Sequence, residues 1–251
     1  GDQERFSEPK AKQRSIMCYA RNADMLASPF SGIKHQAMLS LKQAIDQCYF
    51  NATEVEISCP LGSLYSGQLP KELELETADV TILRFPIGVH SPISSAYFSG
   101  RIALSEYLTS TGCKVYEPDF LPIEKPVFAE IEGKTITGFT GGASDVRRIK
   151  NHYRHVAEQF SLNATAVCSW HAGIHQGCSY SEAISDNPDR WGNNIFMCPS
   201  NLHFHSCTDV SMGEICWNIA NPTIKLDGEA LWENGLLCLS RFSETRRCLE
   251  E

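Results

Sequence analysis

The feature that most constrains this chain is a recurring alternation of apolar and polar residues in short stretches, each closed by a turn signal. Val55 and Ile57 alternate with Glu54 and Glu56 until Cys59-Pro60-Leu61-Gly62-Ser63 breaks the pattern. Val127, Ala129 and Ile131 face away from Glu130 and Glu132. Glu132-Gly133-Lys134 then turns the chain, and Thr135–Phe139 returns. A period of two belongs to half-buried strands, and two such runs about a short turn form a hairpin. A last hairpin runs over Thr223–Leu231 about Asp227-Gly228, a dipeptide that favours the tight turns matching strand twist. Further strands are expected over Val80–Phe85, Thr165–Trp170, Asn194–Met197 and Leu202–His205, and a short strand or helix around Arg101–Tyr107.

The helical period is rarer. Residues 31–48 place Ile33, Ala37, Leu41, Ala44 and Ile45 on one stripe. Asp145, read as an N-cap, opens a second helix with Val146, Ile149, Tyr153, Val156 and Phe160 on its apolar face. Strands outnumber helices by about two to one without regular alternation. The expected fold is therefore α+β: a β-rich domain with a twisted, partly barrel-like mixed sheet and a few flanking helices. Residues 1–30 are polar and weakly patterned and read as an N-terminal arm. Residues 31–251 read as a single metal-binding, catalytic-type domain.

Composition removes several function classes. A chain of 251 residues buries a core without staples. Thirty acidic against 22 basic side chains give a formal net charge of −8, the wrong sign for neutralising a phosphate backbone, so no nucleic-acid partner is expected. No run of about 18 apolar residues occurs, so no membrane partner is expected either. The eleven cysteines contain no Cys-x-x-Cys pair. No secretory leader opens the sequence, so a cytoplasmic location and mostly reduced, buried thiols are expected. The acceptor patterns Asn51-Ala52-Thr53 and Asn163-Ala164-Thr165 then read as chance matches.

Four of the eight histidines fall into two tight groups, Trp170-His171-Ala172-Gly173-Ile174-His175 and Leu202-His203-Phe204-His205. In a strand, residues i and i+2 point to one face, so His203 and His205 stand side by side there while Phe204 faces the other way. Two such imidazoles suit adjacent positions on one metal ion; the competing reading is a polar pair on a solvated face. His171 comes at the end of a short apolar run, where sites are commonly built. As a third ligand it completes a three-histidine face that leaves positions open. His175 competes for that place or serves as a proton-transfer group. Nearby carboxylates are Asp209 and Glu214, and Glu214 reads as a ligand, a general base, or a partner that orients an imidazole. Arg84, closing a strand before Pro86 and Gly88, is a candidate clamp for a carboxylate or phenolate. Phosphate-loop, dinucleotide and nucleophile-elbow motifs are absent, as is His-Glu-x-x-His.

The order Phe128-Ala129-Glu130-Ile131-Glu132-Gly133-Lys134-Thr135-Ile136-Thr137-Gly138, a Gly-Gly pair, a helix, Ser169-x-His171-x-Gly173, Asn193-x-x-Phe196 and a His-x-His strand resembles the C-terminal domain of 2,5-dihydroxypyridine 5,6-dioxygenase. That enzyme's superfamily includes the thermophilic leucyl aminopeptidases known as aminopeptidase T. The resemblance covers roughly residues 35–240 and implies a mononuclear non-haem iron(II) that cleaves an aromatic ring with dioxygen. It places the metal ligands on His171 and His203, and puts His205 where the family has an aspartate. Two histidines and a carboxylate thus become three histidines, a set that also suits zinc. The aminopeptidase branch uses a carboxylate-rich two-metal site for which this sequence offers no obvious match.

The sequence therefore predicts an Fe(II)-dependent oxygenase acting on a small aromatic or amino-acid-derived substrate with dioxygen, within secondary metabolism. His171, His203 and His205 hold the metal, His175 and Glu214 are proton-transfer candidates, and Arg84 is a substrate clamp. A homo-oligomer is expected from the resemblance. Two alternatives stand beside it: a zinc-dependent aminopeptidase-like hydrolase, and a non-catalytic protein that binds a peptide or intermediate on the same fold.

Overall fold

The structure, a computed structural model, describes residues 15–20, 23–73, 82–110, 116–179, 183–208 and 213–242. Strand β1 (Ser15–Cys18) leads into two short helices, α1 (Ala23–Ala27) and α2 (Pro29–Gly32). The long helix α3 (His35–Asn51) follows. Its buried residues Ala37, Met38, Leu41, Ile45 and Tyr49 fall three or four apart, as one buried stripe requires. It stops where Ala52 turns extended. Strands β2 (Glu54–Ser58), β3 (Leu64–Gln68), β4 (Ile82–Phe85) and β5 (Ile93–Ser94) come next. Then come β6 (Phe98–Ser110), β7 (Phe120–Glu132) and β8 (Thr135–Gly141). Helix α4 (Ala143–Phe160) buries Ile149, Tyr153 and Val156 and ends at Ser161 in a left-handed turn. The remainder is β9 (Val167–Ala172), α5 (Pro188–Ile195), β10 (Asn201–Ser206), β11 (Ile215–Ala220), β12 (Thr223–Leu226), β13 (Glu229–Glu233) and β14 (Leu236–Leu237).

The fold is α+β, with flanking helices on a curled half-barrel sheet. Twelve strands form one sheet with the path β14-β13-β12-β2-β3-β6-β11-β10-β9-β5, and the β7–β8 hairpin extends from β6. Among the described residues, every strand pair within this sheet is antiparallel, and the parallel pairing is confined to β1 and β4, which form a separate two-stranded sheet. The main core runs from α3 and α4 across the sheet. It contains Trp170, Phe204, Trp217 and Trp232, each essentially solvent-free. No described helix is long and apolar enough to cross a membrane.

Several expectations need correction. Asn194–Met197 is not a strand. Asn194 and Ile195 close α5, and Phe196 and Met197 continue as a turn whose amides donate to Gly192 and Asn194 carbonyls. Pro188 opens α5 with a φ already set for a helix. Arg101–Tyr107 is neither a helix nor short, but the middle of the 13-residue β6, whose register slips between Leu104 and Glu106. Asp145 does not cap α4. Gly142 occupies that position, and the Asp145 carboxylate instead accepts from the Glu124 and Lys125 amides and from Arg148. Of the nine described cysteines, only Cys178, Cys207 and Cys216 are buried.

A candidate metal centre on three central strands

The strand period sorts β9, β10 and β11 into two faces. Residues opposite one another in an antiparallel pair point the same way. His203 lies opposite His171 on β9 and Asn218 on β11, and His205 lies opposite Ser169 and Cys216. One face therefore carries His171, His203, His205, Cys216 and Asn218. The other carries Trp170, Leu202, Phe204, Trp217 and Ile219 in the core.

The three imidazoles converge through their Nε2 atoms. His205 Nε2 lies 3.1 Å from His171 Nε2, and His203 Nε2 meets His171 Nε2 more closely still. The ring centroids are 3.9 to 4.9 Å apart. All three ligand atoms fall within 4.8 Å of one another. His171 and His203 are buried, while His205 keeps the most exposure.

What lies behind each ring decides which nitrogen carries the proton. His171 Nδ1–H donates to the His90 carbonyl at 3.2 Å, and His205 Nδ1–H donates to the Glu214 carboxylate. In its neutral form, each of these two rings presents an unprotonated Nε2 inward. Burial, followed by repulsion from neighbouring imidazoles, pushes the His171 and His203 pKa values well below the ordinary range, so both are neutral at pH 7. A metal ligand must be in that form. Lone pairs at this separation repel unless a cation sits between them. Two imidazoles bound to one ion at about 2.1 Å place their nitrogens roughly 3 Å apart. The donor set therefore fits a divalent metal ion.

Aromatic rings cover the site. Phe196, just past α5, stacks on His203 with centroids 4.5 Å apart, and Trp191 meets Phe196 edge-on. Tyr107 of β6 meets Trp191, and Phe120 of β7 meets Tyr107. Beneath β9, His90 is fully buried among Tyr49, Trp170 and Trp232. Its Nε2 accepts from the Ala172 amide, and burial lowers its pKa to about 4. The backbone of Ser91 donates to Asp46, and the Ser91 hydroxyl bridges Asp46 and Lys42, which pins the His90 carbonyl from behind.

The structure brings the three histidines and Glu214 together. It places His175 elsewhere: its ring stacks on Phe30, which belongs to a second apolar cluster with Met25, Cys178 and Met197. The His175 Nε2 is buried without a partner, and burial lowers its pKa to about 4. The backbone of Arg84 lies on β4 beside Met17, and its side chain falls outside the described residues, as does Asp209. His90, Trp191, Tyr107 and Asn218 carried no site signal in the sequence, and Phe196 entered only through the Asn193-x-x-Phe196 segment of the resemblance. Asn218 could have been found by pairing β11 with the His-x-His strand; His90 acts through its backbone, which no spacing reveals.

No family model and no curated protein matches the sequence. Among solved structures, that of 2,5-dihydroxypyridine dioxygenase from Pseudomonas putida aligns with TM-score 0.63 at 14% identity, over 88% of this chain and 65% of that one. Wild-type AmpT from Thermus thermophilus aligns with TM-score 0.44 at 11% identity, over 82% of this chain and 56% of that one. The chain thus shares the fold of the dioxygenase and spans about two thirds of its length.

Proposed function

We propose that this chain is a mononuclear non-haem iron(II) oxygenase acting on a small aromatic or amino-acid-derived substrate, with His171, His203 and His205 as the metal ligands. The observation that carries this reading is the convergence of three histidine Nε2 atoms on one point, in a fold also seen in a dioxygenase. Bound iron(II) supplies access to dioxygen chemistry and open positions for substrate. The protein supplies the rest. The His90 carbonyl and the Glu214 carboxylate each hold one ring by its Nδ1–H and fix its aim. That contact makes Glu214 a positioning residue in this reading. Phe196 and Trp191 exclude water above His203, while His205 marks the more open side from which substrate reaches the site.

The test is metal analysis of protein prepared without oxygen or chelator and loaded with iron(II), beside the double variant His203→Ala, His205→Ala. Near-stoichiometric iron in the parent, none in the variant, and oxygen uptake with a dihydroxylated aromatic panel are expected. Zinc retained through purification with no oxygen uptake would replace this reading with a hydrolase. Failure to take up any metal would leave a binding protein.

A further inference from the structure

Two of the three converging histidines have a hydrogen-bond acceptor behind them: the His90 carbonyl for His171 and the Glu214 carboxylate for His205. The third does not. His203 Nδ1 is buried and has no partner. Asn218 Oδ1 is also buried and has no partner. These two residues face each other directly across the β10–β11 pairing. Directly opposite side chains in an antiparallel pair share a face, with Cβ atoms about 5 Å apart.

Ring geometry sets the direction. The two nitrogens of an imidazole point nearly opposite ways. His203 Nε2 is turned toward His171 on β9, so its Nδ1 is turned toward β11, the strand on the other side of β10. Asn218 stands there. Phe196, stacked flat on the His203 ring, opposes a flip that would exchange the two nitrogens. A buried donor and a buried acceptor without partners are uncommon in folded proteins, and two side by side are best satisfied by each other.

We propose that Asn218 is the positioning residue of His203, its Oδ1 accepting the His203 Nδ1–H when the three-histidine set holds a metal ion. The inference rests on the metal reading above. It gives each ligand its own acceptor, one a backbone carbonyl, one a carboxylate and one a neutral amide.

Cobalt(II) tests it, because only protons on its ligands receive large hyperfine shifts in NMR. The loaded parent protein shows three shifted, solvent-exchangeable N–H signals if all three rings are held, and two if His203 is not. Asn218→Leu is expected to lose one signal and to bind Co(II) about 10- to 100-fold more weakly, and Asn218→Asp to restore both. Three signals and parental affinity in Asn218→Leu would overturn the proposal while leaving the metal site standing. If Asn218→Leu does not fold, the parent count decides: three supports the proposal and two overturns it. No Co(II) binding by the parent would overturn the metal reading itself, and this inference with it.

Discussion

The three strands β9, β10 and β11 have one backbone and two unlike faces. On the core face, Phe204 packs against Tyr65, Trp170 and Trp217; Trp170 Nε1 is buried without a partner, but the polar atoms around Trp217 are paired. Trp217 Nε1 donates to Tyr153, which shares a hydrogen bond with Ser206, whose hydroxyl also reaches the Ile215 carbonyl. On the other face, three imidazoles crowd their ring nitrogens together, and His203 Nδ1, Asn218 Oδ1 and the nearby Thr109 hydroxyl are buried without partners. One face is built of packed aromatic rings, and the other gathers the donor atoms of the candidate metal centre. Orphaned polar atoms gathered around converging ring nitrogens are the kind of local break in polar pairing that marks a candidate functional site.

That contrast can be broken by experiment. The largest effect belongs to the core: Phe204→Ala should cost about 3–5 kcal/mol in chemical denaturation, as truncation of a buried aromatic ring does. His203→Ala, one residue away on the other face, should cost metal-free protein no more than about 1 kcal/mol. Equal losses would mean the two faces are one core.

Acid is the next lever. His90, His152 and His175 each have a pKa lowered by burial from 6.5 to about 4. The unfolded chain therefore binds more protons than the folded one between those values. Stability is fully present above about pH 6.5 and falls as the pH drops toward 4, by roughly 2 to 3 kcal/mol per group. Urea midpoints measured across that range should decline steadily. A flat profile would show that these rings are not held neutral.

Metal comes third. An ion at 100 times its dissociation constant should stabilise the parent by about 2.7 kcal/mol and leave His203→Ala unmoved. Smallest is Glu214→Gln, which keeps the shape behind His205 but removes the charge. Metal affinity should fall about 10- to 100-fold with the core face untouched.

How much of this was legible depended on whether one face of an element is wet. The β7–β8 and β12–β13 hairpins, α4, and the shared face of His203 and His205 all follow from periods of two or 3.6, because one side meets solvent or a site. Strand β11 was missed: it is buried on both faces from Ile215 to Ile219 and so shows no alternation. Strand β6 was blurred by Glu106, whose positive φ breaks its period at the register slip. Asn194–Met197 looked extended because a helix of eight residues is too short to display a stripe. Within the site, Glu214 was visible as a partner for an imidazole, while the contributions of His90 and Asn218 emerge only from pairing between strands distant in sequence.

The register of β9 against β10 also bears on how the site comes into being. His203 and His205 are neighbours in any conformation of the chain, but His171 joins them only when a loop of some thirty residues closes and the two strands lock in the pairing that sets His171 opposite His203. That same loop carries α5 and Phe196 over the cluster. Loop closure precedes the contacts that reward it, so such long-range pairing forms slowly. A slip of one residue would send the third histidine into the aromatic core. The arrival of a tightly held metal would therefore time the last correct strand pairing, and refolding followed by metal uptake would read the chain's own proofreading of its register.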